Sequence, residues 1–302
     1  MKTVIFFIMS IAIIANTSCH SKLMPQQSLN REITDSKGNK ILLGRCSRER
    51  LQQEPYGNWF NKNYADYKMD TATCGMLKPN LAGKEFVIFM GTWCGDSRRE
   101  VPRMLRVLDY CGIKPSRIKL IMVSNQDSAY KQSPSHEERG LEIHRVPDLI
   151  VYKKKEETGR VIESPVVSLE KDLLAIERDE KYKPNYEAVS MLIDFIKKNK
   201  TKKMESKISE LPGMIKPFSK SANELNTYGY VKMAAHEMDK AGIAFRLNTI
   251  LYPANANVFD SFGDYYLKKG DFLLAKENYQ KALEIEPANE ATRKKMMQLQ
   301  NN

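Results

Sequence analysis

The sequence predicts an α/β domain built on a central mixed sheet with helices on both faces, followed by an all-α module of helical repeats. Three observations carry this expectation. Two apolar runs of strand length, KEFVIFM (84–90) and RIKLIMVS (117–124), flank an amphipathic stretch at 95–110; runs apolar throughout belong to strands buried on both faces. DLIVYKK (148–154) and GRVIES (159–164) are two short strand patterns separated by a turn, which is the signature of an antiparallel hairpin. Beyond residue 222, aromatic and small residues recur so that Pro253 and Pro287 close two copies 34 residues apart.

Taken in order, the chain opens with Lys2 and the apolar stretch VIFFIMSIAIIA (4–15). That stretch is too short to span a bilayer and reads as a signal segment ending near residue 19. Residues 20–55 are polar and irregular, with one short apolar segment, KILLG (40–44). The stretch 58–77 spaces aromatics as a helix does, with Asp70 as an N-cap and Cys74 as a buried thiol. After the 84–90 strand, the helix over 95–110 gathers Val101, Met104, Leu105 and Leu108 on one face. Ser135 and Glu138 have capping-box spacing and predict a short helix between the second strand and the hairpin. Helices over 168–178 and 186–199 close the domain. The expected organisation is a signal segment (1–19), an N-terminal extension (20–55), the α/β domain (56–200), a linker (201–222), and two repeats with a polar capping helix (223–302).

The formal charge of +11 does not point to nucleic acid. The excess lies on helix faces and in KKNKTKK (197–203), with no basic stripe interleaved with aromatics. The five cysteines show no metal-ligand spacing and are too few for a disulfide scaffold, so neither a metal nor a cofactor is expected. His136 and His236 have no carboxylate or cysteine partner at ligand spacing, and His144 reads as a strand-end residue.

Over roughly residues 80–200 the chain resembles the thioredoxin-like family. Trp93 precedes Cys94, Pro102 follows that cysteine by eight residues, and RVPDL (145–149) matches the loop whose cis-proline, here Pro147, packs against the active-site sulfur. The resemblance implies that Cys94 is the nucleophile and that Trp93, Val146 and Pro147 shape a substrate groove. Two positions depart from the family: Ser97 replaces the second cysteine, and Ile88 replaces the buried acid six residues before the first. The C-terminal segment is similar to tetratricopeptide repeats. Phe259, Phe262, Gly263, Tyr266, Ala275, Tyr279 and Ala282 fit one copy, and Leu225, Tyr228, Gly229, Ala241 and Phe245 fit the other, while Lys232 and Asn248 do not. Such repeats imply a protein or peptide partner. NTSC (16–19) resembles a bacterial lipoprotein processing site, with Cys19 lipidated and the chain held at a membrane of the cell envelope. Asn16 departs from that pattern, and ordinary signal cleavage stays open; both imply export.

At a helix N-terminus Cys94 faces unpaired N–H groups and the positive end of the helix dipole, which favour a thiolate. Arg98 and Arg99 reinforce this and Asp96 opposes it. Asp96 reads either as a group that hydrogen-bonds a substrate or shuttles a proton or as a helix cap alone, and Ser97 is placed to donate to the sulfur. Ser97 cannot resolve a mixed disulfide. Cys111 stands 17 residues along the same helix, about 25 Å away, too far to substitute. Peroxidase chemistry fits poorly, since Val87 and Trp93 do not supply the Pro-x-x-x-Thr-x-x-Cys arrangement. Three readings stay open. The first is a single-cysteine exchange protein forming mixed disulfides with exported partners or low-molecular-weight thiols. The others are a non-catalytic interaction scaffold, and a reductase that resolves through Cys46 or Cys74.

Overall fold

The computed structural model describes residues 28–199 and 207–300; the segment expected to be a signal (1–19) and Cys19 lie outside them. Strands β1 (Arg31–Thr34), β2 (Lys40–Cys46), β3 (Glu85–Met90), β4 (Ile118–Met122), β5 (Asp148–Lys153) and β6 (Glu156–Ile162) form one sheet, in the order β1-β2-β4-β3-β5-β6. β3 and β4 run parallel and the other neighbouring pairs are antiparallel. The parallel pair requires a crossover, and α4 (Gly95–Tyr110) supplies it.

Strand periodicity divides the buried side chains between two faces. Ile88, Met90, Leu120, Met122, Leu149 and Val151 enter the larger core. There they meet α4, the helices α1 (Arg48–Leu51), α2 (Gly57–Asp66) and α3 (Thr71–Leu77), and α5 (Leu169–Glu177). Asp70 caps α3 as expected, accepting from Thr73 N at 3.0 Å. Phe89, Ile121 and Ile150 point the other way, against Ile143 and Val146.

That second face departs from expectation. Segment 123–147 covers it in turns, and the helix expected from Ser135 does not form. Glu138 is bonded instead to Ser133, accepting from its N at 3.0 Å and its Oγ at 2.7 Å, so the carboxylate closes a turn rather than a capping box. The N-terminal extension also differs. Its residues 31–46 form the β1–β2 hairpin, and β2 pairs with β4, burying Ile41 and Leu42 completely. Three consecutive apolar residues show no period, and their partner strand is some 80 positions away (Gly44 faces Met122), so local sequence hides this strand.

Helix α6 (Glu187–Lys198) does not join the sheet's larger core. Its Ala188, Val189 and Leu192 pack with the helical part, against Leu225, Tyr228, Ala244 and Leu247. Within the segment expected to be a linker, helical turns including α7 (Leu211–Ile215) bury Ile208, Leu211 and Ile215 in the same cluster. The rest is α8 (Ala222–Ala234), α9 (Met238–Leu251), α10 (Ala256–Lys269), α11 (Phe272–Ile285) and α12 (Glu290–Gln300). α10 and α11 each begin 34 residues after α8 and α9. The repeat has a steric basis. A Cβ on Gly229 would lie 2.7 Å from the Phe245 ring, and one on Gly263 would strike the Tyr279 ring, so each glycine admits the aromatic side chain 16 residues on.

Candidate functional site around Cys94

β3 ends at Met90 and the chain turns into α4 through Gly91–Cys94, with Cys94 N donating to Gly91 O at 2.9 Å. Gly91 is needed there: a Cβ would lie 2.5 Å from Trp93 Cε2. The Trp93 ring is fixed by a hydrogen bond from Nε1 to Val123 O (2.8 Å) and by Tyr130, at a centroid distance of 6.3 Å. Thr92, fully buried, accepts from Leu42 N at 3.1 Å, which ties the turn to β2. Cys94 is the N-cap of α4, in extended backbone, and is partly exposed. Its Sγ–H donates to Val146 O at 3.3 Å, and the Val146–Pro147 peptide is cis. Trp93, Cys94 and Val146 thus lie in one cluster, with Pro147 next along the chain.

Ser97 and Asp96 are placed otherwise. Ser97 is fully buried and its Oγ accepts from Gly91 N at 3.2 Å, so it braces the turn from beneath. Asp96 accepts from Arg99 at 2.8 Å on the outer face of α4, and Arg98 Nε donates to Thr92 O.

The remaining described cysteines do not approach Cys94. Cys46, Cys74 and Cys111 are buried in the larger core, whereas Cys94 packs on the opposite face. Burial pushes the Cys46 and Cys74 thiols up to about 12 and raises that of Cys111. Cys111 lies at the far end of the 16-residue α4, and its Sγ contacts Cys74 O at 3.9 Å.

The loop that faces Cys94 is held by groups the sequence did not single out for this role. Glu142 accepts from Lys232 and Lys240, at 2.6 and 2.8 Å, and from Tyr228 OH at 3.2 Å. Burial alone would raise this carboxyl; the two lysines bring it down to about 2. His144, expected at a strand end, is buried in the loop that precedes β5. Its ring packs edge-on against Tyr186 and Tyr228, with Nδ1 3.0 Å from Glu142 O. Burial holds it neutral, lowering it to about 3. Arg145 donates to Asn223 O at 2.9 Å and stacks on Tyr186. Lys131 is buried, and its Nζ donates to His144 O at 2.8 Å. Burial and the Arg145 charge bring Lys131 down to about 7, while Cys94 and Glu163 act in the opposite direction.

The one advance signal for this clamp was Lys232, the residue at odds with the repeat pattern. Asn248, the other misfit, is buried and donates to Ala222 O at 2.9 Å. Asp148, directly after Pro147, is fully buried; burial raises it to about 6 despite Arg160 at 3.1 Å. A scan against protein-family models and a search of curated proteins found no match to this sequence.

Proposed function

We propose that this is an exported thioredoxin-like thiol–disulfide exchange protein that works with a single active-site cysteine, joined to tetratricopeptide-type repeats that recruit a partner. One observation carries the reading. Cys94 alone among the described cysteines is partly exposed, and it sits at the start of a 16-residue helix facing the loop of a cis-proline. Thiolate formation is favoured at that end of a helix. The thiolate displaces one sulfur of a partner disulfide; a new bond forms between Cys94 and the partner, and the other sulfur leaves as thiolate and takes a proton from water. Ser97 cannot attack that bond, so the mixed disulfide waits for an external thiol, either a low-molecular-weight thiol or a protein thiol. The sequence before residue 20 supports export, with Cys19 as the lipid attachment point and a bacterial envelope membrane as the site of residence.

Incubation with glutathione disulfide followed by intact-mass analysis tests this reading. A single glutathione adduct is expected on Cys94, and none on Cys94→Ser. A native protein that forms no adduct under conditions where free cysteine does would instead leave a non-catalytic interaction scaffold.

A further inference from the structure

Family resemblance points to no base or charge partner for Cys94, since Ile88 is apolar and lies in the larger core. The structure offers a different group on another element. Segment 144–146 presents two carbonyls: His144 O accepts from Lys131 Nζ at 2.8 Å, and Val146 O accepts from Cys94 Sγ at 3.3 Å. A lysine and a cysteine thus hold the same loop, two residues apart. Lys131 is only 4% exposed and its amine lies over the Tyr130 ring, 4.8 Å from the centroid; that ring in turn packs on Trp93, next to Cys94. Its backbone adopts φ 57°, and its N–H is bonded to Ser124 O at 2.9 Å. A long, flexible cation buried in this way is costly unless a negative charge accompanies it.

We propose that Lys131 is a positioning residue whose buried ammonium favours the thiolate of Cys94. This inference rests on Cys94 being the exchanging thiol. Two titratable groups also face the pair, His144, which burial holds neutral, and Tyr130, which burial raises; the charged groups are few. Arg145, on the same loop, opposes the Lys131 charge, and Glu163 supports it. On the Cys94 helix, Arg99 donates to both Asp96 and Glu100, and Arg98 Nε donates to Thr92 O. Lys131 is the buried cation of the group. Because it loses its proton near neutrality, its help to Cys94 is present at lower pH and fades as pH rises.

The test is the pH profile of iodoacetamide alkylation at Cys94, read peptide by peptide, for the wild type, Lys131→Met and Lys131→Arg. Near pH 7 and below, Lys131→Met is expected to slow alkylation about threefold to tenfold. Above about pH 8.5, where the wild-type lysine is itself neutral, the two profiles should converge. Lys131→Arg, charged throughout, should keep the wild-type rate at neutral pH. A merely structural role would change the rate by the same factor at every pH or in both variants, and that outcome, or superposed wild-type and Lys131→Met profiles, overturns the proposal.

Should Lys131→Met fail to fold, the reciprocal measurement is the ¹³Cε titration of Lys131 in the wild type and in Cys94→Ser. Loss of the thiolate should lower the lysine midpoint; an unchanged midpoint overturns the proposal. Glutathione-adduct formation separates the two levels. Adducts with unchanged alkylation profiles sink the Lys131 role alone. A shifted profile without adducts sinks the exchange reading and leaves the charge partnership.

Discussion

Lys232→Met removes one of the two lysine partners of Glu142 while keeping a side chain of similar shape. In the wild type both ends of the ion pair are nearly buried, with Lys232 5% and Glu142 10% exposed. The lysines lower the Glu142 carboxyl to about 2 from an ordinary 4.5. At about 1.4 kcal/mol per unit, the ionised carboxylate contributes about 3 kcal/mol to stability. Because the folded value lies below the unfolded one, that contribution is complete above 4.5 and is lost as pH falls towards 2. Lys240 remains 2.8 Å away in the variant and retains part of it. The expected loss is therefore about 2 kcal/mol near neutral pH, below the 3–5 of a fully orphaned buried charge. It should narrow to about 1.2 kcal/mol near pH 3, where the wild type keeps about 1.4 kcal/mol of its own contribution, and fall further towards pH 2. Urea denaturation, followed by tryptophan fluorescence for the sheet part and circular dichroism for the helices, measures both values. A difference below about 0.5 kcal/mol at neutral pH, or one equal at the two pH values, would refute the reasoning.

Three further outcomes follow from the packing. In native protein near neutral pH, iodoacetamide should label Cys94 and spare Cys46, Cys74 and Cys111, whose burial raises their thiols; denaturant should expose all four, and peptide mass mapping distinguishes the cases. Gly263→Ala drives a methyl into the Tyr279 ring and should cost about 1–3 kcal/mol, whereas Gly75→Ala, with open space around it inside α3, should be neutral or stabilising by about 0.5–1 kcal/mol; thermal melts of both variants check the contrast. Asp148, raised to about 6, contributes stability below 3.8 that is lost as pH climbs through 6, so wild-type stability should carry a falling component across that window. The component should be absent from Asp148→Asn, as read from urea midpoints along a pH series.

The parts of the fold legible in the sequence are those written in local period. β3, α4, β4 and the β5–β6 hairpin are continuous apolar runs or one-faced helices, and the observed bounds fall within a few residues of the expected ones. Helices α8–α11 were legible because Gly229 with Phe245, and Gly263 with Tyr279, repeat one steric fit. The β1–β2 hairpin was not legible: its apolar residues are few and its pairing with β4 is long-range. Turns of 207–218 were hidden by lysines and prolines that mask the spacing Ile208–Leu211–Ile215. At the candidate site, Trp93, Cys94, Val146 and Pro147 were readable because they are adjacent in two short motifs. Ser97 was readable as a missing thiol, but its bond to Gly91 N depends on how the turn folds beneath it. Lys131, Glu142 and His144 carry no motif, and what they do follows from burial and from the helices packed behind them.

The most direct test of a single-cysteine exchange site is the fate of a preformed glutathione adduct at Cys94 in the wild type and in Ser97→Cys, with no thiol added. The wild-type adduct should persist, and the variant should expel glutathione and form an internal disulfide between positions 94 and 97. An adduct that discharges from the wild type at a comparable rate, leaving Cys94 bonded to Cys46 or Cys74, would contradict the account and identify a resolving thiol within the chain.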